Sequence, residues 1–452
     1  MSADERFDAV VIGAGPGGRG AARGLVAADL RVALVEDELV GGECPFWACI
    51  PSKTLLRPVE ARGEAGHVAG LERPGLHWDR VARYRDYMVS DHDDGDQARR
   101  LEDAGIAIVR GRGRLDGPGR VVAGDRALRA ERIVLATGST SAIPPIDGLD
   151  AVEYWTNREA TALEQVPESA VVLGGGPVGV ELGQMLARFG ARTTIVEAAP
   201  RLLARETPAV GDLLGELLQG EGIVLRTGAE AARVEAVGAG VRAHIDGGPP
   251  VEGQRLVVAV GRKPRTDGLG LESVGVKTAA DGGVPVDAHC RAGDGLWAIG
   301  DVTGVAQFTH VASYQARIAV DDILGRSREA DYRAVPRVVF SDPEVAAVGE
   351  TPDQARERGA EVATATGTLS DLDRTETYGR DLDGIYGVVA DRDAGVLVGA
   401  WAVGPLASEW IHPMALAIRA RVPLDVVGDG MAQFPTFAEA WPMAARELNP
   451  GR

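Results

Sequence analysis

The sequence predicts an α/β protein with two Rossmann-like domains and a C-terminal α+β domain. A pattern of strand, glycine-rich turn, helix, strand and acidic residue occurs twice along the chain. After about residue 336 the glycine-rich pattern gives way to strands of an antiparallel type and two helical stretches. With 452 residues, the chain is also too long for one hydrophobic core.

The first copy of the pattern begins with an apolar strand over 7–12. Gly13, Gly15 and Gly18 follow, then a helix of small residues over 19–28 and a second strand that ends at Glu36. In such a unit the glycines allow a tight turn, close approach of a pyrophosphate and close helix packing. The phosphates lie at the helix N-terminus, so this unit predicts a dinucleotide site with Glu36 at a ribose.

The second copy begins with a strand over 169–173. It continues with Gly174, Gly176 and Gly179, a helix, and a strand that ends at Glu197. The acid lies at the same distance from the first glycine in both copies (13 to 36, and 174 to 197). Chance recurrence of all these features is improbable, so two Rossmann-like dinucleotide-binding domains are predicted.

The acid of the second copy bears on which nicotinamide nucleotide is preferred. Glu197 is expected to accept hydrogen bonds from a free 2′-hydroxyl and to repel a 2′-phosphate. NAD(H) is therefore preferred, while the nearby Arg192, Arg201 and Arg205 leave NADP(H) open.

Two of the three cysteines, Cys44 and Cys49, follow the first copy closely. One helical turn brings such a pair within bonding range, and a redox pair beside a nucleotide indicates two-electron chemistry. In a reducing compartment, a close pair is more typical of catalysis than of structural support. The tightly bound redox cofactor is therefore expected on the first copy, and the exchangeable nicotinamide on the second.

Other strands that end in glycine lie between and after the two copies. They are followed by Thr137 and Gly138, by Gly261, and by Gly300 with Asp301.

The order of these units predicts three domains. They comprise residues 1–147 together with 271–335, residues 148–270, and residues 336–452. In the C-terminal domain, strands are predicted over 338–340, 384–390 and 396–403, and helices over roughly 406–420 and 436–448.

Composition excludes several classes of protein. A net charge of −18 argues against nucleic-acid binding, which needs basic surface. No apolar run is long enough to cross a bilayer, so no membrane association is expected. The charged N-terminus leads straight into a strand, which argues against a signal peptide and, with the scarcity of cysteine, for a cytoplasmic protein.

Together these motifs resemble the class I flavoprotein disulfide reductases, the pyridine-nucleotide-disulfide oxidoreductases. This family includes dihydrolipoamide dehydrogenase and mercuric reductase. The resemblance covers nearly the whole chain, in order. Besides the two glycine patterns, it rests on Gly-Gly-x-Cys-x4-Cys-x-Pro-Ser-Lys, Ala-Thr-Gly, Val-Gly-Arg-x-Pro and Ala-x-Gly-Asp.

The resemblance implies an FAD-dependent enzyme with a redox-active disulfide. FAD would lie on the first copy, with Gly42 and Asp301 among its contacts, and NAD(P)H on the second. Cys49 would face the flavin, and Cys44 would exchange with a small-molecule substrate. Lys53 would lie near the flavin and pair with Glu181. A homodimer is also implied, in which the partner's C-terminal dimerisation domain completes each active site.

The chain departs from the family at its C-terminal signature, His-Pro-Thr-x-x-Glu. Phe434 stands at the histidine position, whereas Glu439 keeps the position of the glutamate. Phenylalanine cannot carry a proton, and general acid–base help is typically worth ~10²–10⁴-fold. Efficient turnover of dihydrolipoamide or of a glutathione-like disulfide is therefore not expected.

Further departures concern the thiols. Glu43 replaces the usual threonine, and it would raise the pKa of Cys44 unless it points to solvent. Mercuric reductase also lacks the histidine but carries a cysteine pair near its C-terminus. This chain has no cysteine after Cys290, so mercury is not expected as a substrate, and Cys290 is expected to be a buried small residue.

Three functions remain open from the sequence. The first, which we favour, is reduction of a disulfide or oxidation of a dithiol. The second is an NAD(P)H:quinone or other small-acceptor reductase with an auxiliary disulfide. An aromatic pocket formed by Trp47, Phe434, Phe437 and Trp441 would support it, although the same residues could as easily form dimer-interface core. The third is a non-catalytic redox or nucleotide sensor. His310 and His412 are alternative proton carriers, although such residues are more often structural.

Overall fold

The computed structural model describes residues 4–379 and 382–448, in two compact units. The first unit comprises the residues up to 51, residues 83–142 and residues 261–331. The second comprises residues 52–82, residues 143–260 and the residues from 332 onward. In the described part of the chain, no helix is both long and apolar enough to cross a membrane.

A six-stranded sheet forms the centre of the first unit, and five neighbouring strands in it are parallel. These strands are short apolar runs, as expected for a sheet covered on both faces. In spatial order the strands are Arg291–Gly293, Leu296–Ala298, Arg132–Leu135, Ala9–Ile12, Val32–Glu36 and Ala107–Arg110.

Helices Pro16–Val26 and Thr309–Ile323 pack closely beside this sheet. A Cβ on Gly17 would lie 3.2 Å from the Ala312 Cβ, so glycine allows the close approach. Two smaller sheets complete the unit. One contains Glu5–Arg6, Arg126–Arg129, Arg120–Ala123 and Gly113–Leu115, and the other pairs Ser139–Ser141 with Arg262–Pro264.

The second unit contains a four-stranded parallel sheet and a three-stranded antiparallel sheet. The parallel strands are, in order, Val224–Thr227, Arg192–Glu197, Ser169–Leu173 and Arg255–Val258, with helices Pro177–Arg188 and Pro208–Gly220. The antiparallel strands are Ala231–Val237, Gly240–Ile245 and Val251–Gly253.

The C-terminal part of this unit is a five-stranded antiparallel sheet with helices packed against it. Its strands are, in order, Pro336–Val339, Glu344–Gly349, Val396–Gly404, Ile385–Asp391 and Val362–Thr368. Its helices are Pro352–Glu357, Asp373–Glu376, Ala407–Trp410, His412–Ala420, Leu424–Gly428 and Ala440–Leu448. The predicted α/β fold with a C-terminal α+β domain is confirmed.

The remaining helices are mostly short. They are Glu43–Phe46, Cys49–Ala65, Trp78–Met88, Gly95–Glu102 and Asn157–Thr161. Single 3₁₀ turns occur at Ser90–His92, Leu149–Ala151, Leu271–Val274, Gly300–Thr303, Leu369–Asp371 and Phe437–Glu439.

Arg188 joins the C-terminal sheet to the helix of the second glycine pattern within the second unit. Its Nη1 lies 2.6 Å from Asp342 Oδ2, and its Nη2 lies 2.7 Å from Glu221 Oε1. Gln184, one turn earlier in the same helix, donates to the Asp342 carbonyl over 2.7 Å. A largely buried guanidinium with two carboxylate partners fixes this junction.

Candidate active site

The two glycine turns, residues 13–18 and 174–179, have the same backbone conformation. Gly13 has φ +103° and Gly174 has φ +108°, a region that side chains other than glycine rarely adopt. A Cβ on Gly13 would lie 2.3 Å from the Ala136 carbonyl oxygen. A Cβ on Gly174 would lie 2.4 Å from the Ala259 carbonyl oxygen. Both positions therefore require glycine.

The third glycine of each turn, Gly18 or Gly179, fits only without a side chain. A Cβ at either position would lie 1.9 Å from the carbonyl oxygen of the first glycine of the same turn. This contact holds the helix N-terminus against the end of the preceding strand.

The middle glycines, Gly15 and Gly176, behave differently. Each precedes a helix that begins with proline, and a Cβ on either would meet no atom within 4 Å. Open space in front of a helix N-terminus, where backbone N–H groups point outward, fits a pyrophosphate group. Both turns therefore suit the diphosphate of a dinucleotide.

Glu36 ties the first glycine turn to the neighbouring strand. Its Oε2 accepts from the Ala14 N–H over 2.7 Å, and its Oε1 accepts from the Glu38 N–H over 2.8 Å. Burial raises the pKa of Glu36, although the two backbone N–H groups oppose this effect. Sequence reasoning assigned Glu36 to a ribose and missed this clamp on the turn.

Glu197 repeats the clamp in the second unit. Its Oε2 accepts from the Gly175 N–H over 2.5 Å and its Oε1 accepts from the Ala199 N–H over 2.7 Å. The donors occupy the same positions relative to the acid as Ala14 and Glu38 do in the first unit. The equal spacing of glycine and acid was the available sequence signal for this shared geometry.

The cysteine segment, residues 41–49, packs on the first glycine turn. The Gly41 N–H donates to the Ala14 carbonyl over 3.0 Å. A Cβ on Gly42, which has φ +71°, would lie 2.7 Å from Gly15 Cα. Gly42 immediately precedes helix Glu43–Phe46, so this backbone contact places Cys44 beside the predicted pyrophosphate site.

Cys44 and Cys49 are both thiols in this structure, and they are hydrogen-bonded to each other. Cys49 Sγ also lies 3.5 Å from Thr309 Oγ1, at the start of helix Thr309–Ile323. The hydrogen bond to Cys49, followed by burial, raises the pKa of Cys44. Thr309 and the positive charge of Arg19 act in the opposite direction.

Glu43 is not among the main causes of the raised pKa of Cys44. Its carboxylate lies 3.8 Å from Arg262 Nη2, and 23% of its side chain is exposed. Glu43 therefore does not point to solvent: its side chain is largely covered and faces a cation.

Asp301 is half-buried in the first unit. Its Oδ2 accepts from Ser139 Oγ over 2.6 Å, and Arg262 Nε donates to the same Ser139 oxygen over 2.7 Å. Burial raises the pKa of Asp301. The preceding Gly300 has φ +76°, and its N–H donates to the Gln315 side chain over 2.6 Å.

Thr137 and Gly138 lie at the end of strand Arg132–Leu135 and contact the segment after Gly261. Thr137 Oγ1 donates to the Arg265 carbonyl over 2.8 Å, and the Arg265 N–H donates to the Gly138 carbonyl over 2.9 Å. Gly138 and Gly261 have φ +73° and +144°, and a Cβ on either would meet open space.

The structure brings Lys53 and Glu181 together in the second unit. Lys53 Nζ lies 2.7 Å from Glu181 Oε2 and 4.7 Å from the centre of the Phe340 ring. The other Glu181 oxygen accepts from the Phe340 N–H over 2.9 Å. Only 9% of the Glu181 side chain is exposed, so its charge is buried but fully paired.

The C-terminal signature does not form an aromatic pocket within the described subunit. Trp441 and Phe437 are buried in the C-terminal core, where Trp441 Nε1 donates to the Trp410 carbonyl over 2.7 Å. Phe434 is 69% exposed. The prediction of a shared pocket is therefore wrong for Phe437 and Trp441.

Glu439 has a local contact. Its Oε2 accepts from the Thr436 N–H over 3.0 Å and caps the turn Phe437–Glu439. Of the alternative proton carriers, His310 stacks on Phe308, and His412 begins a helix. Cys290 is fully buried, as expected.

His92 was missed by sequence reasoning. Its ring stacks on Trp47, between the two cysteines, with centroids 4.0 Å apart. His92 ends a turn in which Ser90, Asp91 and His92 all have positive φ (53°, 48° and 59°), a costly conformation for residues with side chains. Burial lowers the pKa of His92, while a hydrogen bond to the Phe46 backbone opposes this. No sequence signal linked these distant segments.

Comparison with known proteins is consistent across sequence and structure. A family model described as pyridine nucleotide-disulphide oxidoreductase matches residues 7–316, and its dimerisation domain matches residues 335–445. A mercuric reductase of Streptomyces lividans is 34% identical over 461 aligned residues, which cover 99% of this chain and 97% of the relative. A dihydrolipoyl dehydrogenase of Chlorobaculum tepidum is 35% identical over 448 residues, covering 96% and 95%.

The solved structure of the HOCl-induced flavoprotein disulfide reductase RclA from Escherichia coli is also similar. Its TM-score is 0.87 at 28% sequence identity, and the match covers 97% of this chain and 99% of that one. The chain therefore belongs to the pyridine nucleotide-disulphide oxidoreductases, a family of flavoenzymes that use FAD and NAD(P)H. The dimerisation domain supports a homodimer.

The contrast between Gly179 and Gly176 gives a direct test of the second glycine turn. In Gly179→Ala the new Cβ would lie 1.9 Å from a carbonyl oxygen, so we expect a loss of about 2 kcal/mol or more in the free energy of unfolding. In Gly176→Ala the Cβ enters open space, so stability stays near that of the wild type while NADH affinity falls. Denaturant unfolding and fluorescence titration with NADH measure both effects. Equal stability of the two variants would contradict this reading of the turn.

Proposed function

We propose that the chain passes electrons between NAD(P)H, FAD and a redox-active Cys44–Cys49 disulfide, to or from a small thiol or disulfide substrate. The observation that carries the proposal is the packing of the cysteine segment on the first glycine turn. The Gly41–Ala14 hydrogen bond and the close approach of Gly42 to Gly15 fix the position of the backbone that leads into Cys44.

The residues of the first unit fit FAD. Gly15 offers open space at a helix N-terminus, and Glu36 is a buried carboxylate at the end of the second strand. Bound FAD would supply two-electron transfer between a nicotinamide and the sulfur pair. Asp301, held by Ser139, presents a second, half-buried carboxylate in the same unit.

The chain's own residues determine where charge lies on the reduced pair. Opening the disulfide takes up two electrons, and one proton when one sulfur stays ionised. The hydrogen bond to Cys49 and burial raise the pKa of Cys44 and so disfavour a thiolate at that sulfur. Lys53 lies one helical turn after Cys49 in helix Cys49–Ala65, and Glu181 holds its ammonium group in place.

Phe434 narrows the range of substrates. Since it carries no proton, substrates whose thiols need general acid–base help are expected to react slowly. Dihydrolipoamide is in that group, although a dihydrolipoyl dehydrogenase is among the relatives. The names of other relatives point to mercuric ion, but this chain has no cysteine after Cys290 that would deliver a soft metal.

Quinone reduction with an auxiliary disulfide has lost its main structural motivation. Phe437 and Trp441 belong to the C-terminal core, so they do not offer a flat acceptor a stacking surface. We therefore keep the disulfide chemistry as the function that the site supports best.

Replacement of the cysteines tests the proposed function. We expect Cys44→Ser and Cys49→Ser, each loaded with FAD, to lose NADH-dependent turnover of disulfides while they retain flavin. Cys290→Ala is the matched control. Cys290 is buried, lies far from the pair in the sequence, and has no assigned role. A panel of disulfides, quinones and metal ions as acceptors is the assay. Disulfide turnover that survives both serine variants would overturn the proposal.

We further propose that NADH is preferred over NADPH. Both Glu197 oxygens accept backbone N–H groups, so the carboxylate is fixed at the end of the strand, where a 2′-phosphate would meet negative charge. The wild type is expected to show a higher kcat/KM with NADH than with NADPH. Glu197→Gln is expected to lower the ratio of these two kcat/KM values by about tenfold, which corresponds to about 1.4 kcal/mol. The exposed Glu216→Gln serves as a control, and a wild-type preference for NADPH would contradict the assignment.

A further inference from the structure

Arg19 is a half-buried cation for which the described residues provide no carboxylate partner. It lies in helix Pro16–Val26, directly after Gly18. Its Nη1 donates to Gln97 Oε1 over 2.5 Å, whereas its Nε is buried and has no hydrogen-bond partner among the described residues. No Asp or Glu in the described part of the chain is among the main charges acting on it.

A buried guanidinium normally has an anionic partner, because removing its charge from water is costly. Burial accordingly lowers the pKa of Arg19. The one anion-forming group among the main influences on Arg19 is Cys44, whose negative charge acts to raise that pKa. Arg23, on the same helix, is a like charge and acts in the other direction.

Gln97 places Arg19 over the cysteine segment. The Gln97 oxygen that accepts from Arg19 also lies against the backbone of Gly41, where a Cβ would be only 2.9 Å away. Gly41 in turn donates to the Ala14 carbonyl, in the turn that leads into the Arg19 helix. The guanidinium, the amide and the start of the cysteine segment thus form one packed group.

We propose that Arg19 is the charge partner of the Cys44 thiolate and makes that sulfur available for exchange where Phe434 provides no proton carrier. This role rests on the proposed exchange chemistry of Cys44. Reduction of the disulfide consumes two electrons from NAD(P)H and one proton when one thiolate remains. For attack on a substrate the thiolate must be on Cys44, and the retained proton is then on Cys49.

The other groups that face Cys44 do not supply a positive charge. Cys49 disfavours its ionisation through a hydrogen bond and through its own charge. Thr309 favours ionisation through its hydroxyl, and Glu43 is turned toward Arg262. Arg19 is therefore the one positive charge among the main influences on Cys44 in the described part of the chain.

The pH dependence of Cys44 alkylation tests this role. The FAD-loaded protein is reduced anaerobically, treated with iodoacetamide over a range of pH, and the modification of Cys44 is measured by mass spectrometry. A nearby cation lowers a thiol pKa, so we expect Arg19→Met to move the midpoint upward by about one unit or more. Arg19→Lys keeps the charge and is expected to restore most of the shift.

Gln97→Glu provides a second variant with almost no change in shape. It sets a carboxylate beside the guanidinium, offsets the Arg19 charge and is expected to raise the same midpoint. Arg100→Met, at an exposed position of helix Gly95–Glu102, which carries Gln97, is the control and leaves the midpoint unchanged. Flavin absorbance and circular dichroism confirm that each variant is folded.

An unchanged midpoint in folded Arg19→Met, or in Gln97→Glu, would overturn the proposal. If Arg19→Met instead only weakened the affinity for carboxylate-bearing disulfides, Arg19 would be a substrate contact and the proposal would be wrong. Disulfide turnover that survives Cys44→Ser would contradict the proposed function, whereas the alkylation midpoint would still report on Arg19.

Discussion

The backbone contact between the first glycine turn and the cysteine segment is the constraint on which the active site depends. Gly41 donates to Ala14, and Gly42 approaches Gly15 so closely that Gly42 has no room for a side chain. Because the Ala14 N–H donates to Glu36 while its carbonyl accepts from Gly41, both polar backbone groups of Ala14 are hydrogen-bonded. Any change in this packing moves the sulfur pair relative to the space in front of the helix N-terminus.

The second unit uses the same construction without the sulfur chemistry. Glu197 clamps Gly175 as Glu36 clamps Ala14, and the Leu203 N–H donates to the Gly175 carbonyl over 2.9 Å, as Gly41 does to Ala14. The segment that follows carries no cysteine in this copy. The same backbone arrangement therefore occurs at both glycine turns, and of the two segments that pack on them the first carries cysteines and the second does not.

Local features were predictable from the sequence, whereas contacts between distant segments were not. Glycine and acid positions follow from turn geometry, so both repeats were placed correctly. Strand Val362–Thr368 was missed because its alanines, threonines and glycine give a weak apolar alternation. The Trp47–His92 stack and the Arg19–Gln97 hydrogen bond join segments far apart in the chain, which no periodicity reveals. For Phe437 and Trp441 the sequence left a pocket and a core position open, and the structure places both in the C-terminal core, as is common for aromatic residues four apart beside a helix.

Transfer of electrons from nicotinamide to the sulfur pair is the central claim, and thiol counting on the oxidised, FAD-loaded protein tests it most directly. One equivalent of NADH per FAD is added anaerobically, and the thiols that become open to alkylation are located by mass spectrometry. We predict close to two new thiols per subunit, at Cys44 and Cys49, with none at the buried Cys290. Consumption of NADH without new thiols at these two positions would contradict it.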